Sequence, residues 1–341
     1  MYTAHILLQG ETHSVEEHLK GTMSKSQNYT ENLDIKIMAE LQSILHDAGK
    51  FCKDFDDYIN GNNDFKRGDI DHSYAGARII TESADEMGVE YYNSSRLIAH
   101  SIVSHHGLHD WYDCDGHDYL KKRINNDRNY HEITKAFSEI YDKQKLQNMM
   151  KSANNEYNNI ISKIDDLSGD TNKKKRAFYH GLFERLMQSI LVDADRTDTA
   201  DFMSQRKTEM IYTDEDLKKV WNEMHDRLEA KLLKFADRTD AVSMRRKNIS
   251  ERCRDFAKND VKICRLIVPA GGGKTLSSLR FAIDYCMGHD KEKIFYIAPF
   301  MSILEQNSDE IRSITSDEYF IEHHSNVLNE ISSKEELEEY E

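Results

Sequence analysis

From Leu33 to Ala48, apolar side chains recur at Leu33, Ile35, Ile37, Met38, Leu41, Ile44 and Leu45, close to the 3.6-residue period of a helix with one buried face. This core helix is predicted to end on His46 and Asp47, with Gly49 suited to terminating it. An earlier helix is signalled by Thr12 to Leu19, where Thr12 or Ser14 can cap, Glu16 and Glu17 fill the first turn, and His18 lies inside. Residues 60–71 have loop composition and deliver Asp71-His72-Ser73. The small-residue run Tyr74-Ala75-Gly76-Ala77 follows and would let a helix approach its neighbour closely. A helix over 95–104 leads into His105-His106-Gly107. Residues 119–175 are charged and helical in pattern, with a loop around Ser168-Gly169-Asp170 and a basic run, Lys173-Lys174-Lys175-Arg176, expected to be a solvated surface. An amphipathic helix from Ala177 ends in Val192-Asp193-Ala194-Asp195, and acidic helical sequence continues to about Arg246.

The pattern then changes. Residues 263–268, Ile-Cys-Arg-Leu-Ile-Val, form a β-branched run expected of a buried parallel strand. A glycine-rich loop and a helix over 276–286 follow, then a second apolar strand at 294–299. The expected unit is therefore β-loop-α-β, the beginning of an α/β domain. A length of 341 residues favours two domains, and the boundary is expected near residue 245, although no Pro/Gly linker marks it.

Composition narrows the class. With 38% hydrophobic residues and only two prolines, the chain is expected to be globular and helix-rich. A formal charge of −15 argues against holding nucleic acid by diffuse basic attraction, but leaves room for a nuclease that works through metal ions and a few placed cations. The five cysteines never form a CxxC pair and are expected to be idle thiols in a reducing compartment. No segment approaches the roughly 20 apolar residues that cross a bilayer, and no secretory leader is evident. A cytoplasmic protein with no membrane partner is expected.

Histidines and carboxylates supply the candidate chemistry: His13, His18, His46, Asp47, His72, His100, His105, His106, Asp193 and Asp195. Neutral imidazoles and carboxylates converging from several helices are what one or two divalent ions need for phosphate-ester hydrolysis. His100 taken alone is more simply structural. His13 competes with His18, and Asp193 with Asp195, for ligand places; His18 and Asp195 are preferred for their positions in and at the ends of helices. The second constellation is Val268-Pro269-Ala270-Gly271-Gly272-Gly273-Lys274-Thr275. Val268 stands where the first glycine of a strict phosphate-binding loop would be. The loop nonetheless lies between a strand and a helix, so Gly271, Gly272 and Gly273 could cradle phosphates, Lys274 reach them, and Thr275 ligate magnesium.

Together, Val15-Glu16-Glu17-His18-Leu19, His46-Asp47-Ala48-Gly49-Lys50, Asp71-His72-Ser73, Ser104-His105-His106 and Val192-Asp193-Ala194-Asp195 resemble the HD superfamily of metal-dependent phosphohydrolases. More narrowly, they are similar to the N-terminal nuclease domain of the CRISPR-associated Cas3 proteins. The glycine-rich loop resembles motif I of superfamily 2 helicases. Ile297 to Gln306 looks like the following motif Ia, and Glu322-His323-His324-Ser325 fits the same family. The resemblance implies a mainly α protein: an all-helical HD domain over 1–245, then an incomplete RecA-like helicase lobe over 246–341. It implies two divalent transition metals (Mn, Fe, Co or Ni), one held by His18, His46, Asp47 and Asp195, the other by Asp47, His72, His105 and His106. Asp47 would bridge them, and Lys50 would stand near the scissile phosphate. The implied activity is endo- or exonucleolytic cleavage of single-stranded DNA in CRISPR interference, with a crRNA-guided Cascade surveillance complex and the remainder of the helicase as partners. No acidic Walker B motif occurs between Thr275 and Glu341, so Mg-ATP is expected to serve the complete helicase only. Competing readings are an HD phosphohydrolase of nucleotides or cyclic nucleotides, and a non-catalytic assembly module.

Overall fold

A computed structural model describes residues 2–7, 10–62, 64–66, 69–169, 172–205 and 213–322. The chain is mainly helical and divides into two compact units, Met1–Thr208 and Glu209–Glu341. The two compact units divide near residue 208, ahead of the change in sequence character at about residue 246. The helices after Thr213 bury their apolar faces on the second unit's own helices, which is why they belong to it.

The first unit opens with a short antiparallel hairpin, β1 (Thr3–Ile6) and β2 (Thr12–Ser14), which pairs His5 with His13. The sequence pattern had placed Thr12 and His13 at a helix start; the helix, α1 (Val15–Tyr29), begins one residue after Ser14. Ser14 Oγ accepts from Glu17 N at 3.2 Å and the Glu17 carboxylate accepts from Ser14 N at 3.1 Å, a reciprocal cap that fixes where the strand ends. Then come α2 (Lys36–Leu45), α3 (Lys53–Ile59), α4 (Ser73–Met87), α5 (Tyr92–Val103), α6 (Tyr119–Ile124), α7 (Tyr130–Ile140), α8 (Lys143–Ser168) and α9 (Lys173–Ser204).

The periodic stripe of α2 is buried as its spacing predicts: Met38, Leu41, Ile44 and Leu45 pack with Leu19 of α1, Ile80 of α4, Ile98 and Ile102 of α5, and Met187 of α9. Leu33 is exposed and precedes the helix. Gly49 does not end α2, which stops at Leu45. It sits in a 3-10 turn, Ala48–Lys50, where an added Cβ would fall 2.0 Å from the His72 carbonyl oxygen. Gly76 does what the small-residue run foretold: a Cβ there would lie 1.8 Å from the carbonyl oxygen of Leu45. These contacts draw the start of α4 against the end of α2, so His72 comes beside Asp47.

The second unit contains α10 (Asp214–Leu233), α11 (Ala241–Phe256), α12 (Lys274–Gly288) and α13 (Met301–Thr315). Trp221, Met224 and Leu228 of α10 pack with Leu279 and Ile283 of α12 and Ile311 and Ile314 of α13. Buried Arg280 ties three helices, reaching Glu229 at 2.5 Å and Ser250 at 3.1 Å. Residues 263–268 and 294–299 were expected as buried strands and are not. Among the described residues they have no ladder partner, and Ile263 (95%), Ile267 (83%), Phe295 (82%) and Ile297 (89%) are exposed. A β-branched run becomes a strand only when a neighbour meets its backbone groups, and no ladder forms between these two segments.

Candidate metal centre

Five helices of the first unit and the turns beside them bring the candidate ligands together. His18 comes from the middle of α1. His46 and Asp47 follow α2, His72 precedes α4, His105 and His106 follow α5, and Asp195 lies on α9. The arrangement turns on the two oxygens of Asp47. Oδ2 lies 3.3 Å from His18 Nε2 and 3.4 Å from His46 Nε2, and Asp195 Oδ1 completes this group at 3.1 Å and 3.5 Å from the same nitrogens. Oδ1 lies 3.4 Å from His72 Nε2 and 3.6 Å from His105 Nε2, and His106 Nε2 is 2.7 Å from His72 Nε2. Each group, His18-His46-Asp47-Asp195 and Asp47-His72-His105-His106, gathers four ligand atoms closely enough to surround one ion.

The donor set fits divalent ions. Nitrogen and oxygen ligands about 2.1 Å from an ion stand roughly 3.0 to 3.4 Å from one another, close to the spacings here. Three of the outer ring nitrogens are engaged: His46 Nδ1 with Ser43 O at 2.7 Å, His105 Nδ1 with Ile102 O at 2.6 Å, and His18 Nδ1 with Asp198 Oδ2 at 2.9 Å. These bonds aim the Nε2 atoms inward, where those of His18, His46 and His105, with Asp47 Oδ1, are buried without a hydrogen-bond partner. Such orphaned buried atoms are costly unless a cation satisfies them.

The electrostatics are those of a cation site. Burial works to raise the Asp47 pKa, but Lys50, His46 and the neighbouring imidazoles hold it well below the usual carboxylate range. Asp195 is likewise held down by His18 and His46 against its burial. Burial lowers His72 and takes His106 down to about 4, with His105 adding to the effect, so both rings stay neutral near pH 7. For His18 burial is outweighed by Asp195, Asp198 and Asp47, and its pKa rises to about 10. A cation binding at His18 Nε2 therefore competes with a proton.

The alternative candidates occupy different places. Asp193 is exposed on α9 while Asp195 faces the centre. His13 belongs to a neighbouring trio, His5, His13 and His18, and its Nε2 is 3.9 Å from Asp198. Lys50 is buried, its Nζ 2.7 Å from Asp47 Oδ2, so the structure engages it with the shared carboxylate. His100 is paired with Glu184 at 2.5 Å, apart from both ligand groups.

Sequence reasoning missed Asp198, which is buried and orients His18. Its signal was the i, i+3 spacing from Asp195, which puts both carboxylates on one face of α9. In the second unit the loop has the expected place before α12, with Gly271 and Gly273 at φ of 72° and 78°. Two partners of the loop were also missed. Arg246 Nε donates to Gly271 O at 2.7 Å, and Thr275 Oγ1 is 2.8 Å from Asn307 Oδ1. His323, His324 and Ser325 lie outside the described residues.

No helix among the described residues is long and apolar enough to cross a membrane. No curated protein matches the chain. Residues 236–340 match the family described as type III restriction enzyme, res subunit, so this part of the chain is a helicase-related, nucleic-acid-associated region.

Proposed function

We propose that residues 1–208 form a two-metal phosphodiesterase of the HD type, similar to the nuclease domain of Cas3 proteins, that cleaves single-stranded DNA. The observation carrying this reading is Asp47, whose two oxygens each face a separate group of inward-pointing imidazoles. His18, His46, Asp47 and Asp195 would hold one ion, and Asp47, His72, His105 and His106 the other. When bound, such ions supply Lewis acidity and lower the pKa of water at neutral pH. Histidine and carboxylate ligands without cysteine favour Mn, Fe, Co or Ni.

The protein's own residues prepare the site. Lys50 keeps Asp47 ionised, and the carbonyls of Ser43 and Ile102 fix the tautomers of His46 and His105. The helicase-related match at 236–340 favours nucleic acid over small nucleotides as substrate. In this reading a crRNA-guided Cascade complex would present the strand and further helicase elements would move it. The loop at Gly271 to Thr275 would bind Mg-ATP as part of that larger engine.

The purified chain is expected to carry divalent metal and to cut single-stranded DNA with manganese. EDTA should abolish cutting, and Asp47→Ala should reduce it by more than about 100-fold. Hydrolysis confined to deoxynucleoside triphosphates or cyclic nucleotides in the same assay would reject the nuclease reading.

A further inference from the structure

The first unit also holds a groove of about 670 Å³, walled by Trp111 and by one face of α9, including Lys173, Arg176, His180, Glu184 and Arg185. Lys173, Arg176, His180 and Glu184 recur every three or four residues, and Arg185 adjoins Glu184. The same face continues through Gln188, whose amide donates to Ser104 O at 2.7 Å, to Asp195 at the centre. Glu184 and Asp195 are eleven residues apart, about 16 Å along the helix. One helix face therefore runs from the groove to the candidate metal ligands.

The groove has the chemistry of a site for a nucleic-acid strand. The first turn of α9 carries Lys173, Lys174, Lys175 and Arg176 and no acid, against the positive end of the helix dipole. Arg176 and Lys175 are tied back to Asp165 and the Leu167 carbonyl, which gives them structural work. Lys173 and Lys174 are exposed, and a local electrostatic rule broken there suggests a ligand. Arg185 meets Asp110 only at 3.6 Å, with both side chains open to solvent (44% and 87%), a pairing readily exchanged for phosphate. Trp111 is held as a fixed wall, stacked on His100 with ring centroids 5.1 Å apart at 12°, while Glu184 anchors His100. His180 Nε2 is buried without a hydrogen-bond partner.

We propose that this groove binds a single DNA strand: Lys173 and Arg185 take backbone phosphates, Trp111 supports a base or sugar, and the strand runs along α9 to the metal centre. The proposal names the substrate path of the nuclease reading and rests on it for the strand's destination.

The test uses the full chain and a labelled oligothymidylate of about 20 nucleotides in EDTA, with manganese-dependent hydrolysis of bis(4-nitrophenyl) phosphate as control. Lys173→Glu/Arg185→Glu is expected to weaken strand binding by about 10-fold and to reduce the slope of log affinity against log salt by roughly 1.4, while diester hydrolysis stays unchanged. Strand affinity within about twofold of the unaltered protein would overturn the proposal. A matching loss of diester hydrolysis would also overturn it, because the charges would then be acting through the metal centre. Weakened strand binding in a protein whose unaltered form hydrolyses no diester would reject the nuclease and leave the groove as a strand-binding site.

Discussion

At Asp198 one buried carboxylate meets His18 Nδ1 at 2.9 Å, Lys25 Nζ at 3.7 Å and His13 Nε2 at 3.9 Å. An added Cβ at Gly21 would fall 1.9 Å from its Oδ1, so the carboxylate fills the space that a side chain on α1 would need. Because Asp198 fixes the ring whose other nitrogen faces the centre, Asp198→Asn is expected to lower metal affinity by about 10- to 100-fold, read by competition with a chelator. A drop in melting temperature with affinity unchanged would assign Asp198 a purely structural part. The candidate ligands are legible in the sequence because adjacency makes them conspicuous: His46 beside Asp47, His105 beside His106, Asp195 at the end of an apolar run. Asp198 is not, since its meaning depends on which face of α9 meets α1. Its i, i+3 spacing from Asp195 puts it on the same face, but no spacing within one helix names the neighbour that face will meet.

The pairing of α2 with α4 governs the element scale, because Gly76 sits against the carbonyl that precedes His46. Gly76→Ala is expected to destabilise the first unit by about 3 kcal/mol or more in urea unfolding, since backbone must move to admit one methyl. A loss under about 1 kcal/mol would mean the two helices separate easily. Long periodic helices such as α2 and α9 were readable from their apolar spacing. The β1–β2 hairpin was not, for its strands of four and three residues hold too few side chains to show alternation. Residues 263–268 and 294–299 failed in the opposite way. Their composition favours strands, but strand pairing is a property of two segments, and neither contains its partner.

For the whole molecule, the candidate metal ligands all fall in the first compact unit and the phosphate-loop residues in the second. Lys274→Ala is accordingly expected to leave manganese-dependent cutting of single-stranded DNA within about twofold of the unaltered chain, measured as initial rates without ATP. A large loss would show the loop and the nuclease to be coupled. The change from helical to β-branched sequence after Arg246 was visible in the chain, but the unit boundary near residue 208 was not. It is set by where Trp221, Met224 and Leu228 find their partners on α12 and α13, and amphipathic spacing alone does not name the surface that a helix will cover.

Gly21, Gly49 and Gly76 share a consequence for how such a protein drifts over generations. None carries a functional group, yet each lies against an atom that helps place the centre: the carboxylate behind His18, the carbonyl of His72, the carbonyl before His46. Selection on the chemistry therefore falls on chemically silent positions. A lineage that kept every histidine and aspartate but let one of these glycines gain a methyl would preserve the inventory of the site and lose its shape.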